Sequence, residues 1–171
     1  AYTADAAGTL VLDNDEAVSV SGSVSVADAN TIAGKTSGVV TATIAEGDLT
    51  TLAGLNETGH AYTVTVTDTS ATAAALTTLD GKTTVAVTAS AVTTLSGTAT
   101  EVIAAYAADT AGTLVLDNDE AVSVSGTVSV ADANIIAGKT SGVVTATIAE
   151  GDLTTLAGLN ETGNAYTCLL Y

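Results

Sequence analysis

The amino-acid sequence predicts a β-rich repeat protein, specifically a β-solenoid with short helical turns. Residues 1–63 match residues 105–167 without a gap, and only five positions differ between the two copies. A weaker pattern recurs inside this unit, in which an alternating strand is followed by leucines at helical spacing. The chain also has no Pro, Met, Phe or Trp. Its core must therefore consist of small and branched aliphatic side chains, which suit thin stacked layers.

The strands are predicted from segments in which apolar residues alternate with Thr, Ser or Ala and Val is frequent. Four such segments begin at residues 24, 42, 64 and 85, and a further pair at 10–12 and 18–20 recurs at 114–116 and 122–124. Spacings of roughly 20 residues are typical of solenoids, in which each layer buries its apolar edge only against its neighbours.

Short helical turns are predicted where leucines follow each strand. Asp48 and Asp68 precede such leucines as candidate N-caps, and the segment from Thr98 to Glu101 matches a capping box. Glycines shortly after these steps are expected to close the turns in the left-handed conformation, namely Gly34, Gly54, Gly81 and Gly97.

A tandem of β-sandwich modules is the alternative fold, because a unit of this length also matches one immunoglobulin-like domain. The missing Trp and Pro and the shorter internal repeat favour the solenoid. In either case residues 1–104 form a first repeat unit and residues 105–171 a second, incomplete unit.

The charge balance excludes several partners. Nineteen acidic residues oppose three lysines, giving a formal net charge of −16. Such a surface repels nucleic-acid phosphates and anionic lipid headgroups, whereas divalent cations are attracted. No apolar stretch approaches the roughly 20 residues that span a bilayer, so membrane insertion is not expected.

The residue types needed for catalysis are scarce, and an enzyme is not expected. His60 is the only histidine and Asn164 replaces it in the second copy, so His60 is interpreted as part of a surface turn. Cys168 has no activating base in its own repeat copy, and the serines and threonines likewise lack one. No cofactor is expected apart from calcium.

Two acidic turns are the strongest candidates for a ligand site. Each contains three carboxylates and one amide between two predicted strands, and calcium takes six to eight oxygen ligands. The alternative is an Asx-rich turn whose side chains bond their own backbone. The candidate metal ligands are Asp13, Asp15, Glu16, Asp117, Asp119 and Glu120.

The Thr/Ala/Asp-rich segments 66–85, 89–97 and 99–106 carry a resemblance. The chain resembles the tandem repeats of giant secreted cell-surface proteins of cyanobacteria and other marine bacteria. This resemblance implies an extracellular or cell-surface location and a role in a coat, an adhesin or a fibre. The Gly-Gly-x-Gly-x-Asp nonapeptides of calcium-loaded repeats are absent from this chain.

The expected function is that of a non-catalytic structural repeat segment, acting as a spacer, coat or fibre subunit. Self-association is expected through the chain ends, because residues 1–7 are ordinary repeat sequence and residues 167–171 exchange polar positions for apolar ones. A binding module for calcium, ice or glycan is the alternative. Ice is considered because of the threonine ladders 41–43 and 63–67.

Overall fold

A computed structural model describes residues 2–8, 10 and 12–168. The helices are α1 (Tyr2–Ala6), α2 (Val26–Ala33), α3 (Leu49–Leu52), α4 (Ala73–Asp80), α5 (Ala99–Ala111), α6 (Val130–Ala137) and α7 (Leu153–Leu156). The strands are β1 (Val18–Val24), β2 (Val40–Ile44), β3 (Ala61–Thr63), β4 (Ser70–Thr72), β5 (Val87–Thr88), β6 (Thr94–Thr98), β7 (Leu114–Val115), β8 (Ala121–Val128), β9 (Val144–Ile148) and β10 (Ala165–Cys168).

The strands form three sheets with the orders β1-β2-β3, β10-β9-β8-β6-β4 and β5-β7. All strand pairs within the described residues are parallel. The five-stranded sheet contains β4 and β6 from the first repeat unit and β8, β9 and β10 from the second. Its central pairing joins β6 to β8 from Thr94↔Ala121 to Thr98↔Ser125. Strands of the two units therefore lie side by side in one sheet.

The prediction of a β-solenoid is wrong, because the chain has an α/β fold with parallel sheets and substantial helices. The segments predicted to be short turns form helices of 8 residues in α2, α4 and α6 and of 13 residues in α5. Helix α5 contacts both α4 and α6, so the helices also pack on one another. Ala, which has the highest helix propensity, is frequent in all four helices.

The alternative of β-sandwich modules is also wrong. Such sandwiches are built from antiparallel strands joined by hairpins and Greek-key connections. Parallel strands instead need crossover connections of a dozen or more residues, and helices commonly supply them. Helix α2 between β1 and β2 and helix α6 between β8 and β9 are connections of this kind.

The helix ends agree only partly with the prediction. The capping box of Thr98 and Glu101 is confirmed at the start of α5, and Asp48 caps α3 by accepting a hydrogen bond from Thr51 N at 2.8 Å. Asp68 instead reaches back to accept a hydrogen bond from Leu49 N at 2.7 Å. Gly34 and Gly81 have negative φ angles, whereas the left-handed C-cap is Gly112 with φ of 76°.

The core is built from Val, Leu, Ile and Ala, as the composition predicts, together with two buried tyrosines, Tyr62 and Tyr106. Strand β2 shows the pattern: Val40, Ala42 and Ile44 are buried while the threonines between them face outward. One cluster of buried residues extends from α2 to β9. In the described part of the chain, no helix is long and apolar enough to cross a membrane.

Candidate functional site

The second acidic turn connects β7 to β8 and has an unusual backbone. Asn118 lies in the left-handed region with φ of 59°, and its counterpart Asn14 has φ of 60°. Asn tolerates this conformation better than most residues. The left-handed residue belongs to a tight turn that separates the outward-facing aspartates from the inward-facing glutamate.

Glu120 is completely buried beneath this turn. Its carboxyl oxygens accept hydrogen bonds from Tyr106 Oη at 3.1 Å and from Asn118 N at 3.0 Å. Burial, followed by the negative charge of Glu120, raises the pKa of the Tyr106 phenol well above its usual range. The phenol therefore stays protonated and serves as a hydrogen-bond donor to the carboxyl group.

A second carboxylate ties the turn to helix α5. Asp109 Oδ1 accepts a hydrogen bond from Leu116 N at 2.9 Å, and its Oδ2 accepts one from Asn118 Nδ2 at 3.1 Å. The turn is thus bonded to α5 through both Asp109 and Tyr106. Sequence reasoning missed Asp109 because it lies in a helix, outside the acidic cluster.

The structure does not bring the six predicted metal ligands together. Asp13, Asp15, Asp117 and Asp119 are exposed, whereas Glu120 is buried and Glu16 is half-buried. The Glu16 Oε1 atom accepts a hydrogen bond from Asp13 N at 3.0 Å. Among the described residues there is no group of three or more His, Cys, Asp or Glu side chains that could hold a metal ion.

Other acidic residues lie at the first turns of helices α2 and α6. Glu46 accepts a hydrogen bond from Val26 N at the start of α2, and Glu150 accepts the equivalent bond from Val130 N at the start of α6. Asp28 is bonded to Ser25, the N-cap of α2. Anionic side chains at helix N-termini accept hydrogen bonds from the free N–H groups of the first turn. They also interact favourably with the positive end of the helix dipole.

We therefore expect millimolar calcium to leave the melting temperature unchanged to within about 1 °C, since ligand binding to the native state would raise it. We expect no calcium binding at the second acidic turn because the Glu120 carboxyl group already accepts hydrogen bonds from Tyr106 and Asn118. Thermal melts with calcium and with chelator, at constant ionic strength, test this expectation. A calcium-dependent rise of several degrees that is abolished by Asp117→Asn and Asp119→Asn would contradict it.

A turn with the sequence Gly-Lys-Thr recurs after helices α2, α4 and α6, at residues 34–36, 81–83 and 138–140. Thr140 Oγ1 accepts a hydrogen bond from Gly142 N at 2.9 Å and donates one to the Glu120 carbonyl at 2.8 Å. Thr36 makes the same pair of bonds with Gly38 and Glu16. Each threonine thus bonds its turn to the backbone of the preceding acidic turn. The threefold recurrence of Gly-Lys-Thr is the sequence signal for this turn. The sequence does not predict the carbonyl group to which the threonine bonds, which lies 20 positions earlier in the chain.

His60 is buried, so its interpretation as part of a surface turn is wrong. Its Nδ1 atom accepts a hydrogen bond from Val40 N at 3.1 Å, and its ring lies 5.4 Å from that of Tyr62. In the second unit Asn164 Oδ1 accepts the equivalent bond from Val144 N at 2.9 Å. Both side chains accept a hydrogen bond from the backbone at the start of a neighbouring strand. Asn can therefore take the place of His at this position of the repeat.

The outer face of the five-stranded sheet is neutral and rich in hydroxyl groups. The strand residues that face outward on β4, β6 and β9 are all serine or threonine, namely Ser70, Thr72, Thr94, Ser96, Thr98, Thr145 and Thr147. The threonines of the predicted ladders at 41–43 and 63–67 are also exposed. Such a face offers hydrogen-bond donors and acceptors.

Cys168 is free and exposed at the end of β10. The apolar residues at 169–171, which contributed to the predicted self-association through the chain ends, lie outside the described residues.

No protein-family model, curated protein or solved structure matches the chain.

Proposed function

We propose that the chain is a non-catalytic structural repeat segment of an extracellular or cell-surface protein, acting as a spacer, coat or fibre subunit that self-associates. The observation that supports this most directly is the parallel pairing of β6 with β8. Through it a strand of one repeat unit adds to a strand of the next. A repeat that joins its neighbour in this way extends an array by main-chain hydrogen bonds, without a flexible linker.

The use of the polar buried groups also supports a structural role. Glu120 and His60, the buried side chains best suited to acid–base chemistry, are engaged in hydrogen bonds with Tyr106, Asn118 and Val40. Each of these bonds fixes a turn or the start of a strand. These buried polar groups therefore stabilise the fold.

The charge distribution is compatible with self-association that depends on ionic strength. The net charge of −16 makes two copies of the chain repel each other at low salt. The strands of the hydroxyl-rich outer face carry no charged side chains, so they add nothing to this repulsion. The Debye length falls from about 30 Å at 0.01 M to about 10 Å at 0.1 M salt. Association is therefore expected to increase with ionic strength.

Light scattering and electron microscopy across protein concentration and ionic strength test the proposal. We expect oligomers or filaments whose proportion rises with both variables. A particle that remains strictly monomeric at high concentration, in low and in high salt, would refute self-association. Labelling of intact source cells with an antibody against the chain tests the surface location separately.

A further inference from the structure

Two equivalent loops, one in each repeat unit, contain the tripeptide Asn-Glu-Thr. They lie at residues 56–58, between α3 and β3, and at residues 160–162, between α7 and β10. All residues of both tripeptides are exposed. The pattern Asn-x-Ser/Thr, in which x is not Pro, is the acceptor pattern for N-linked glycans on surface loops of secreted proteins. Of the seven asparagines in the chain, only Asn56 and Asn160 stand in this pattern.

The surroundings of both loops leave room for a bulky group. Each tripeptide is followed by a glycine in the left-handed region, Gly59 with φ of 84° and Gly163 with φ of 90°. A Cβ atom added at either glycine would meet no other atom within 4 Å. The space beside both tripeptides is therefore open, as an attached glycan requires.

The backbone of each asparagine in the pattern is held by a helix. Asn56 N donates a hydrogen bond to Asn30 Oδ1 of α2 at 3.0 Å, and Asn30 Nδ2 donates one to the Gly54 carbonyl at 2.7 Å. Asn134 of α6 makes the same pair of bonds in the second unit, where Asn160 N lies 3.0 Å from its Oδ1 atom. The two loops are thus fixed in the same way.

The side-chain amides of Asn56 and Asn160, in contrast, are free. Within the described part of the chain, the hydrogen bonds of both residues involve only their main-chain atoms. Asn30 and Asn118 instead use their side-chain amides to fix a loop and a turn. A transferase can take up an amide only where the amide is accessible and not bonded to other groups. Asn56 and Asn160 meet both conditions.

We infer that Asn56 and Asn160 are attachment sites for N-linked glycans, transferred from a glycosyl diphosphate that is carried on a lipid. The inference rests on the extracellular or cell-surface location in the proposed function, because this modification belongs to secreted proteins. In the transfer, the amide nitrogen Nδ2 forms a bond to C1 of the sugar while the bond from C1 to the diphosphate oxygen breaks. The diphosphate leaves with that electron pair, and one Nδ2 proton passes to a base of the transferase. The hydroxyl groups of Thr58 and Thr162 complete the recognition pattern.

Mass spectrometry of the protein isolated from its source cells tests this inference. Cleavage after lysine yields the peptide 36–82, in which Asn56 is the only asparagine, and the peptide 83–139, whose two asparagines stand outside the pattern. We expect peptide 36–82 to gain the mass of one glycan, and peptide-N-glycosidase to remove this glycan and leave aspartate at position 56. The peptide that begins at Thr140 should behave in the same way through Asn160. Peptide 83–139 is the internal control and should carry no N-linked glycan.

Substitutions made in the source cells test whether the pattern directs the modification. Asn56→Gln and Thr58→Ala should each abolish the glycan at position 56 and leave the glycan on Asn160 in place. Thr58→Ser keeps the hydroxyl group and should retain both glycans. All three positions are exposed or chemically conservative changes on the surface, so circular dichroism should show the same folded chain in each variant.

Unmodified Asn56 and Asn160 in protein collected from the cell surface would overturn the inference and leave the proposed location intact. A glycan on Asn56 that persists in the Thr58→Ala variant would also contradict it. If both glycans are found on a chain that antibody labelling detects neither at the surface nor in the medium, the attachment sites are supported and the proposed location is refuted. Self-association is measured separately by light scattering.

Discussion

Gly142→Ala is expected to destabilise the chain by about 3 kcal/mol, at the upper end of the cost of overpacking a well-packed site. A Cβ atom at this position would overlap the Glu120 carbonyl group and lie 2.6 Å from the Asp119 carbonyl oxygen. Both obstacles are backbone atoms of the acidic turn. They cannot retreat without disturbing the hydrogen bond from Thr140 to the Glu120 carbonyl.

The matched control is Gly81→Ala, in the turn that follows α4. The nearest atom to a Cβ there is the Thr78 carbonyl oxygen at 3.5 Å, an ordinary contact, and φ is already helical at −66°. Alanine should be neutral or stabilise by about 0.4 to 1 kcal/mol, because it reduces the entropy of the unfolded chain. Urea unfolding followed by circular dichroism measures both variants. Equal midpoints for the two would show that the close approach at Gly142 is not a packing constraint.

Glu120→Ala is expected to cost about 3 kcal/mol as well. The substitution removes the acceptor of Asn118 N and one partner of the Tyr106 hydroxyl, and it leaves a cavity beneath the turn. Since the turn is bonded to α5 through Tyr106, we also expect local loosening around the start of β8, measurable as faster amide hydrogen exchange.

Glu16→Ala provides the matched control for Glu120→Ala, because it changes the same motif in the first repeat unit. Glu16 is only half-buried, and one of its carboxyl oxygens accepts a hydrogen bond from the exposed Asp13. We expect a loss of about 1 kcal/mol, the usual net contribution of one hydrogen bond. If Glu16→Ala destabilises the chain as much as Glu120→Ala, the burial of Glu120 is not what makes it important.

Local patterns in the sequence determined which residues face the core and where several helices begin. The alternation in residues 40–44 gave the correct buried face of β2, and the pairing of Thr98 with Glu101 gave the correct start of α5. Both features depend on residues no more than four positions apart. The gapless repeat likewise predicts corresponding elements such as α2 and α6, β2 and β9, and α3 and α7, because identical local sequences have identical local preferences.

The extent of the helices and the arrangement of the sheets were decided by tertiary packing. A leucine spacing of three residues fits a single turn as well as a full helix. Helix α5 reaches 13 residues because its buried side, with Val102, Ala105 and Tyr106, packs in the core and because α4 and α6 lie beside it. Tertiary packing of one face supplies most of the stability of short helices.

The sequence does not predict the direction in which the polar side chains of the acidic turn point. The sequence identified the acidic turn at residues 117–120, and only the structure turned Glu120 inward towards Tyr106 and left Asp117 exposed. His60 gave no local sign that it bonds to Val40, 20 positions earlier. The direction of a polar side chain depends on donors and acceptors brought near by folding. Those partners are distant in sequence, so the residue types predicted the chemistry available and the tertiary structure decided how it is used.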